Sequence, residues 1–116
     1  MTKIEAHRVT YGKLRRNRPN AININCALCD VPKVLHYVQS KLGSVAGIYE
    51  FMSPNFVKTW HPEIAKGRVK IKDLPKVACF PVGMVLTRLH ITHIDLWVLD
   101  VEGAELSILN VSLISR

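Results

Sequence analysis

The segment that most constrains the fold runs from Ile94 to Leu109 and reads IDLWVLDVEGAELSIL. Leu96 to Leu99 is a continuous apolar run, as expected of a central parallel strand covered on both faces. Gly103 permits a tight turn, and Glu102 and Glu105 suit the positive end of a helix dipole. Leu106 and Leu109 then mark one face of that helix. Strand, acidic turn and helix together make the repeating unit of an α/β protein. Such a sheet takes its ligands beyond the carboxyl ends of its strands.

The rest of the chain supplies partners for this unit. With 116 residues it amounts to one domain at most, and 48% hydrophobic residues argue for a packed core. Lys3 to Glu5 reads as the end of a strand. Val9 to Arg18 suits a short helix stopped by Pro19-Asn20. Ala21 to Leu28 alternates like a strand and is closed by Asp30 and Pro32. Val34 to Val38 and Val45 to Phe51 form a hairpin about Gly43-Ser44, although the spacing of Val31, Val34, Leu35, Val38 and Leu42 is also helical. Val69 to Ile71 and Val77 to Phe80 are short strands, and a helix runs from about Val82 to Leu89.

Charge and cysteine usage narrow the function. Sixteen Lys and Arg against nine Asp and Glu give a net charge of +7, much of it at Arg8, Lys13, Arg15, Arg16 and Arg18. No aromatic stacking motif accompanies that cluster, so it reads as a solvated helix face and no specific nucleic acid is expected. The longest apolar runs fall far short of the ~20 residues of a membrane span. Three cysteines leave at least one thiol unpaired. Cys26 and Cys29 form a C-x-x-C, but positions three apart on a strand face opposite ways, which suits no shared metal. A bridge between Cys29 and Cys79 remains open. The five histidines show no HExxH-like spacing and read as surface or satisfied core positions; His36 and His61 are the two that would serve as a pocket base.

Three expected strands end in acids: Glu5, Asp30, and Asp100 with Glu102. In a basic chain this repetition points to one ligand-facing edge. Each acid also has a plainer role, since Asp favours turns and Glu favours helix starts. An acid after the second strand of a doubly wound sheet holds both ribose hydroxyls of an adenine-bearing cofactor, with the glycine-rich turn ~20 residues upstream. Only four residues precede Glu5. If Glu5 is that ligand, the first strand and its glycine loop are missing from this chain.

The same residues carry a resemblance to a known family. Ile4-Glu-Ala-His, with Tyr11, Leu14 and Asn17-Arg18, resembles the second strand and helix of FkbM-type methyltransferases. Cys26-Ala-Leu-Cys-Asp is similar to their third strand and its acidic end. The segment from Ile94 to Glu105 resembles their IDxxxLDVEGxE signature, and Gly47-Ile-Tyr-Glu-Phe-Met resembles a segment of animal members. The resemblance implies a Rossmann-like α/β fold with a doubly wound, mostly parallel sheet, here truncated at both ends over residues 1–116. It further implies methyl transfer from S-adenosyl-L-methionine, usually to a hydroxyl oxygen of a small molecule or glycan. Glu5 would hold the cofactor ribose, Asp30 would lie near the adenine, and Asp100 and Glu102 would border the methyl donor and acceptor. Asp100 thereby counts as both a cofactor ligand and a catalytic residue.

Three function classes follow. The first is a methyltransferase, read as a fragment or truncated gene product whose activity alone is in doubt. The second is a non-catalytic interaction module that keeps the methyltransferase scaffold. The third, a basic nucleic-acid binder, rests only on the cluster between Arg8 and Arg18.

Overall fold

A computed structural model describes residues 1–98 and Ile108. Strand β1 (Thr2–Ile4) leads through helix α1 (Arg8–Asn17) to strand β2 (Ile22–Ile24), which pairs with β1 in parallel. This βαβ unit brings the carboxyl ends of both strands to one edge, with Ile4 opposite Ile24. Helix α1 buries none of its residues fully. Leu14 and Tyr11 are half-covered while Lys13, Arg15, Arg16 and Arg18 face solvent, so the basic cluster occupies the outer helix face and the turn after it.

The span from Ala21 to Leu28, expected to be one strand, divides between two sheets. After β2 the chain passes Asn25 and Cys26 and re-enters as strand β3 (Ala27–Leu28). Asn25 is the physical cause of the break. Its Nδ2 donates to the carbonyls of Glu5 at 2.9 Å and Ala6 at 3.1 Å, so a side chain takes acceptors that a continued ladder would have used.

The second sheet has the order β3-β6-β4-β5, with β4 at Lys33–Val38, β5 at Gly47–Ile48 and β6 at Lys76–Phe80. It is mixed, not the mostly parallel, doubly wound sheet expected. β3 and β6 are parallel, whereas β4 runs antiparallel to both β6 and β5. The reason lies in the link from β3 to β4. A parallel crossover needs a dozen or more residues, and only Cys29, Asp30, Val31 and Pro32 separate the two strands. That link spans β6 and reverses direction.

The hairpin appears as expected, with Tyr37 opposite Ile48 and Val38 opposite Gly47. Its second strand is shorter than the apolar run, because 3₁₀ turns at Gly43–Val45 and Tyr49–Phe51 flank β5. Val69 to Ile71 forms no strand. The amides of Arg68 and Val69 both donate to the Glu63 carbonyl, and Ile71–Asp73 closes as a 3₁₀ turn. Helix α2 (Pro54–Trp60) starts at Ser53, whose Oγ accepts from the Phe56 amide at 3.1 Å, with Pro54 at the first helical position. Helix α3 (Pro62–Ala65) follows, and Gly67, at a φ of 75°, turns the chain back. Helix α4 (Val82–Arg88) ends with His90 at a φ of 57°. There the amides of His90 and Ile91 reach the carbonyls of Thr87 and Leu86, which is the Schellman pattern.

The core has three parts. Ala27, Cys29, Leu35, Val77 and Cys79 fill one face of the mixed sheet. Leu28, Val82, Val85 and Ile108 pack at the end of β3 and β6. Val38, Val57 and Ile64 seat α2 and α3. Cys29 and Cys79 are joined by a disulfide with Cα atoms 5.8 Å apart, and Cys26 is a buried free thiol. Cys29 therefore pairs across the sheet, not with its C-x-x-C neighbour.

His61, between α2 and α3, is the buried polar residue of the described core. Its Nε2–H donates to the Val45 carbonyl at 2.7 Å, which fixes the tautomer and ties the two helices to the turn before β5. We expect His61→Ala to lower the unfolding free energy by about 1–3 kcal/mol, because it leaves that carbonyl buried without a donor. Urea denaturation followed by circular dichroism measures the loss.

The strand expected from Leu96 to Leu99 is not formed over its described part. Residues 91–98 carry no regular element, and Leu96 and Val98 leave 82% and 80% of their surface exposed. A strand covered on both faces would expose neither. Asp100, Glu102 and Gly103 lie outside the described residues. Ile108 is helical and 1% exposed, against Leu28, Val82 and Val85.

A candidate active-site cleft at the end of the first parallel pair

Glu5 follows β1 directly and sits at the shared carboxyl edge of β1 and β2. Its amide donates to the Ile24 carbonyl at 2.9 Å, which carries the pairing one step past the strands. The carboxylate bends toward the start of α1, where Oε1 accepts from the His7 amide at 2.9 Å. That position also favours negative charge, because the first amides of a helix lack partners. Oε2 has no partner among the described residues.

His7 adds an aromatic wall beside this acid. Its ring stacks on Tyr37 with centroids 4.6 Å apart and planes within 2°, and Nδ1 lies 3.1 Å from the Thr10 hydroxyl. Tyr37 reaches this place because strand alternation puts it on the same face as the buried Leu35. Sequence reasoning singled out neither His7 nor Tyr37. The one available signal was that His7 falls two residues after a strand-end acid.

Glu5 lines a cleft of about 970 Å³, walled on its apolar side by Ile4, Leu28, Ile48 and Phe51. This size lies at the upper end of small-molecule sites, and Lys3, Glu5, Tyr37 and Ser53 add polar groups to the lining. Trp97 and Val98 line the same cleft, so the chain meets it two residues before Asp100. A second cleft of about 690 Å³ continues from the first past Glu5 and Tyr37 and is lined by Thr10, Ser40 and Lys41.

Asp30 is placed differently. It follows β3 as expected, yet it lines neither cleft. Its Oδ1 accepts from Lys33 Nζ and from the Val31 amide, both at 2.9 Å. The Lys33 ammonium, helped by the Val31 amide, holds its carboxyl below the usual carboxylate range. His36 pairs with Glu50 at 2.6 Å, and His61 is taken up in the core, so neither histidine lines the clefts. Burial pushes the Cys26 thiol up, away from thiolate character. Among the described residues no three His, Cys, Asp or Glu side chains converge as a metal-binding set.

Residues 1–116 match the family model of the methyltransferase FkbM domain. The chain belongs to the FkbM methyltransferase domain family. No curated protein and no solved structure matches it. An FkbM domain supports methyltransferase function, and the family suggests a Rossmann-like fold. The described part of this FkbM chain is α/β, with a parallel β1–β2 pair and a mixed second sheet. Glu5 stands on the parallel pair, at the edge where such folds take ligands.

Proposed function

We propose that this FkbM chain binds S-adenosyl-L-methionine in the Glu5 cleft and serves methyl transfer to a hydroxyl oxygen of a small molecule or glycan. The observation that carries the reading is the state of the Glu5 carboxylate. One oxygen is held by the His7 amide, and the other is unpartnered among the described residues in a cleft that Ile4, Leu28 and Phe51 also line. A carboxylate fixed on one side and open on the other suits a vicinal diol, which offers two hydroxyl donors.

The donor set fits the cofactor. Glu5 would take the ribose hydroxyls, with Ile4, Leu28 and Phe51 as apolar wall. Asp30 lines neither cleft and its Oδ1 is taken by Lys33 and the Val31 amide, so the assignment rests on Glu5. Asp100 and Glu102 would border donor and acceptor, where Val98 brings the chain to the cleft. When bound, the cofactor supplies an electrophilic methyl group on a sulfonium. Carboxylates beside it offset the positive charge, and one of them orients the acceptor hydroxyl and receives its proton. Alignment of acceptor and methyl supplies much of the rate in a direct displacement.

Ligand-detected NMR with S-adenosyl-L-methionine tests the assignment. We expect a saturable signal from the protein that Glu5→Gln weakens about tenfold to a hundredfold, the worth of hydrogen bonds to a charged acceptor. Equal affinity in the two proteins removes Glu5 from the site. Absence of binding by the unaltered chain overturns the cofactor assignment.

A further inference from the structure

A second run of positive charge lies apart from the α1 cluster. Residues 58–76 carry Lys58, Lys66, Arg68, Lys70, Lys72 and Lys76 against two acids, Glu63 and Asp73. All six cations are exposed, and none is ion-paired among the described residues. Evenly scattered surface charge of both signs would leave several of them paired. Here six cations fall within one short segment without ion-pair neutralisation among the described residues, which favours an anionic partner.

The same segment exposes apolar side chains. Trp60 leaves 51% of its surface in solvent and Val69 leaves 37%. Core and backbone contacts fasten the segment that carries both. Val57 and Ile64 anchor α2 and α3 beneath them, His61 ties the helix junction to Val45, and the Glu63 carbonyl fastens the amides of Arg68 and Val69. An exposed indole on a fastened scaffold is thus a property of the fold, not of a loose tail.

We propose that residues 58–76 form a peripheral docking surface for an anionic lipid bilayer. Tryptophan among lysines is the composition of protein segments that sit at a membrane interface: the indole enters the headgroup layer while the cations meet anionic headgroups. Nucleic acid is the other polyanion to weigh, but single strands are held in positively charged grooves with stacking platforms. No residue of 58–76 lines either described cleft. A segment outside both clefts suits a flat anionic surface better than a threaded strand. No helix among the described residues is long and apolar enough to cross a membrane, so the contact is at the surface. This surface is independent of the Glu5 cleft.

Co-sedimentation with vesicles tests the proposal. The protein is expected to pellet with phosphatidylcholine vesicles containing phosphatidylserine, not with phosphatidylcholine alone, and to be released by salt. The triple variant Lys66→Gln/Arg68→Gln/Lys70→Gln should bind about 100-fold more weakly, at roughly 1 kcal/mol per cation near such a surface. Trp60→Ala should weaken binding several-fold with little change in salt dependence. Arg15→Gln/Arg16→Gln on α1 should stay within a few-fold of the unaltered protein, and circular dichroism checks that each variant is folded. No binding to the anionic vesicles overturns the proposal, as does an equal loss with the α1 variant. Displacement from vesicles by a DNA duplex at equal phosphate would assign the patch to nucleic acid instead.

Discussion

Cys79→Ser is expected to lower the unfolding free energy by about 4 kcal/mol, the chain-entropy value for a loop of this length. The Cys29–Cys79 bridge closes a sequence separation of 50 residues, including β4, the hairpin, α2 and α3. Cutting it returns that loop's freedom to the unfolded chain. The folded side loses as well, because Cys79 is 0% exposed on the strand that pairs with both β3 and β4, and a hydroxyl there has few partners. Cys29→Ser should give nearly the same loss, since either change opens the same loop. Urea unfolding of the oxidised protein and the two variants measures it. Near-equal stability of all three would show that the bridge is absent in solution. At 0% and 3% exposure the sulfurs are shielded, so mild reductant should act slowly until the protein opens.

Leu35→Ala is expected to cost about 3 kcal/mol, within the usual range for truncating a buried leucine. Leu35 is 2% exposed, faces Val77 across β4 and β6, and packs with Ala27, Cys29 and Cys79. Truncation leaves a cavity against a disulfide and two strands, none of which relaxes readily. Val34→Ala, one residue away, should stay within about 0.5 kcal/mol, because Val34 leaves 57% of its surface in solvent on the opposite face. The contrast tests the register of β4. Similar losses at both positions would mean that the strand does not alternate as described.

Local periodicity located several elements well. Helix α1, strand β6, helix α4 and the antiparallel hairpin all lie where apolar spacing and turn residues put them. These elements rest on interactions within a few residues, which a sequence displays directly. The run from Ala21 to Leu28 misled because alternation records that a strand is half-buried, not which sheet it joins. Asn25 decides that by bonding to the backbone of residues 5 and 6, about twenty positions earlier. Val69 to Ile71 misled for a related reason: it alternates, but the Val69 amide is taken by the Glu63 carbonyl.

The acids at the strand ends show the same division. Residue type and position made both Glu5 and Asp30 candidates, with Glu5 the more telling as the acid expected after the second strand of a doubly wound sheet. Folding sets them apart: Glu5 lines a cleft with one oxygen open, while Asp30 is ion-paired to Lys33 away from it. Histidine placement was equally illegible, since burial of His61 depends on a carbonyl sixteen residues earlier.

From residue order alone came the α/β class, the acids after β1 and β3, and the DVEGAE motif that resembles the signature of FkbM methyltransferases. Each of these is a short pattern, complete within a dozen residues. Tertiary structure alone decided the antiparallel course of β4, the Cys29–Cys79 bridge, the core role of His61 and which acid meets the cleft. Those outcomes depend on contacts between distant segments. Periodicity is blind to them because a strand reads alike in either direction and beside any partner.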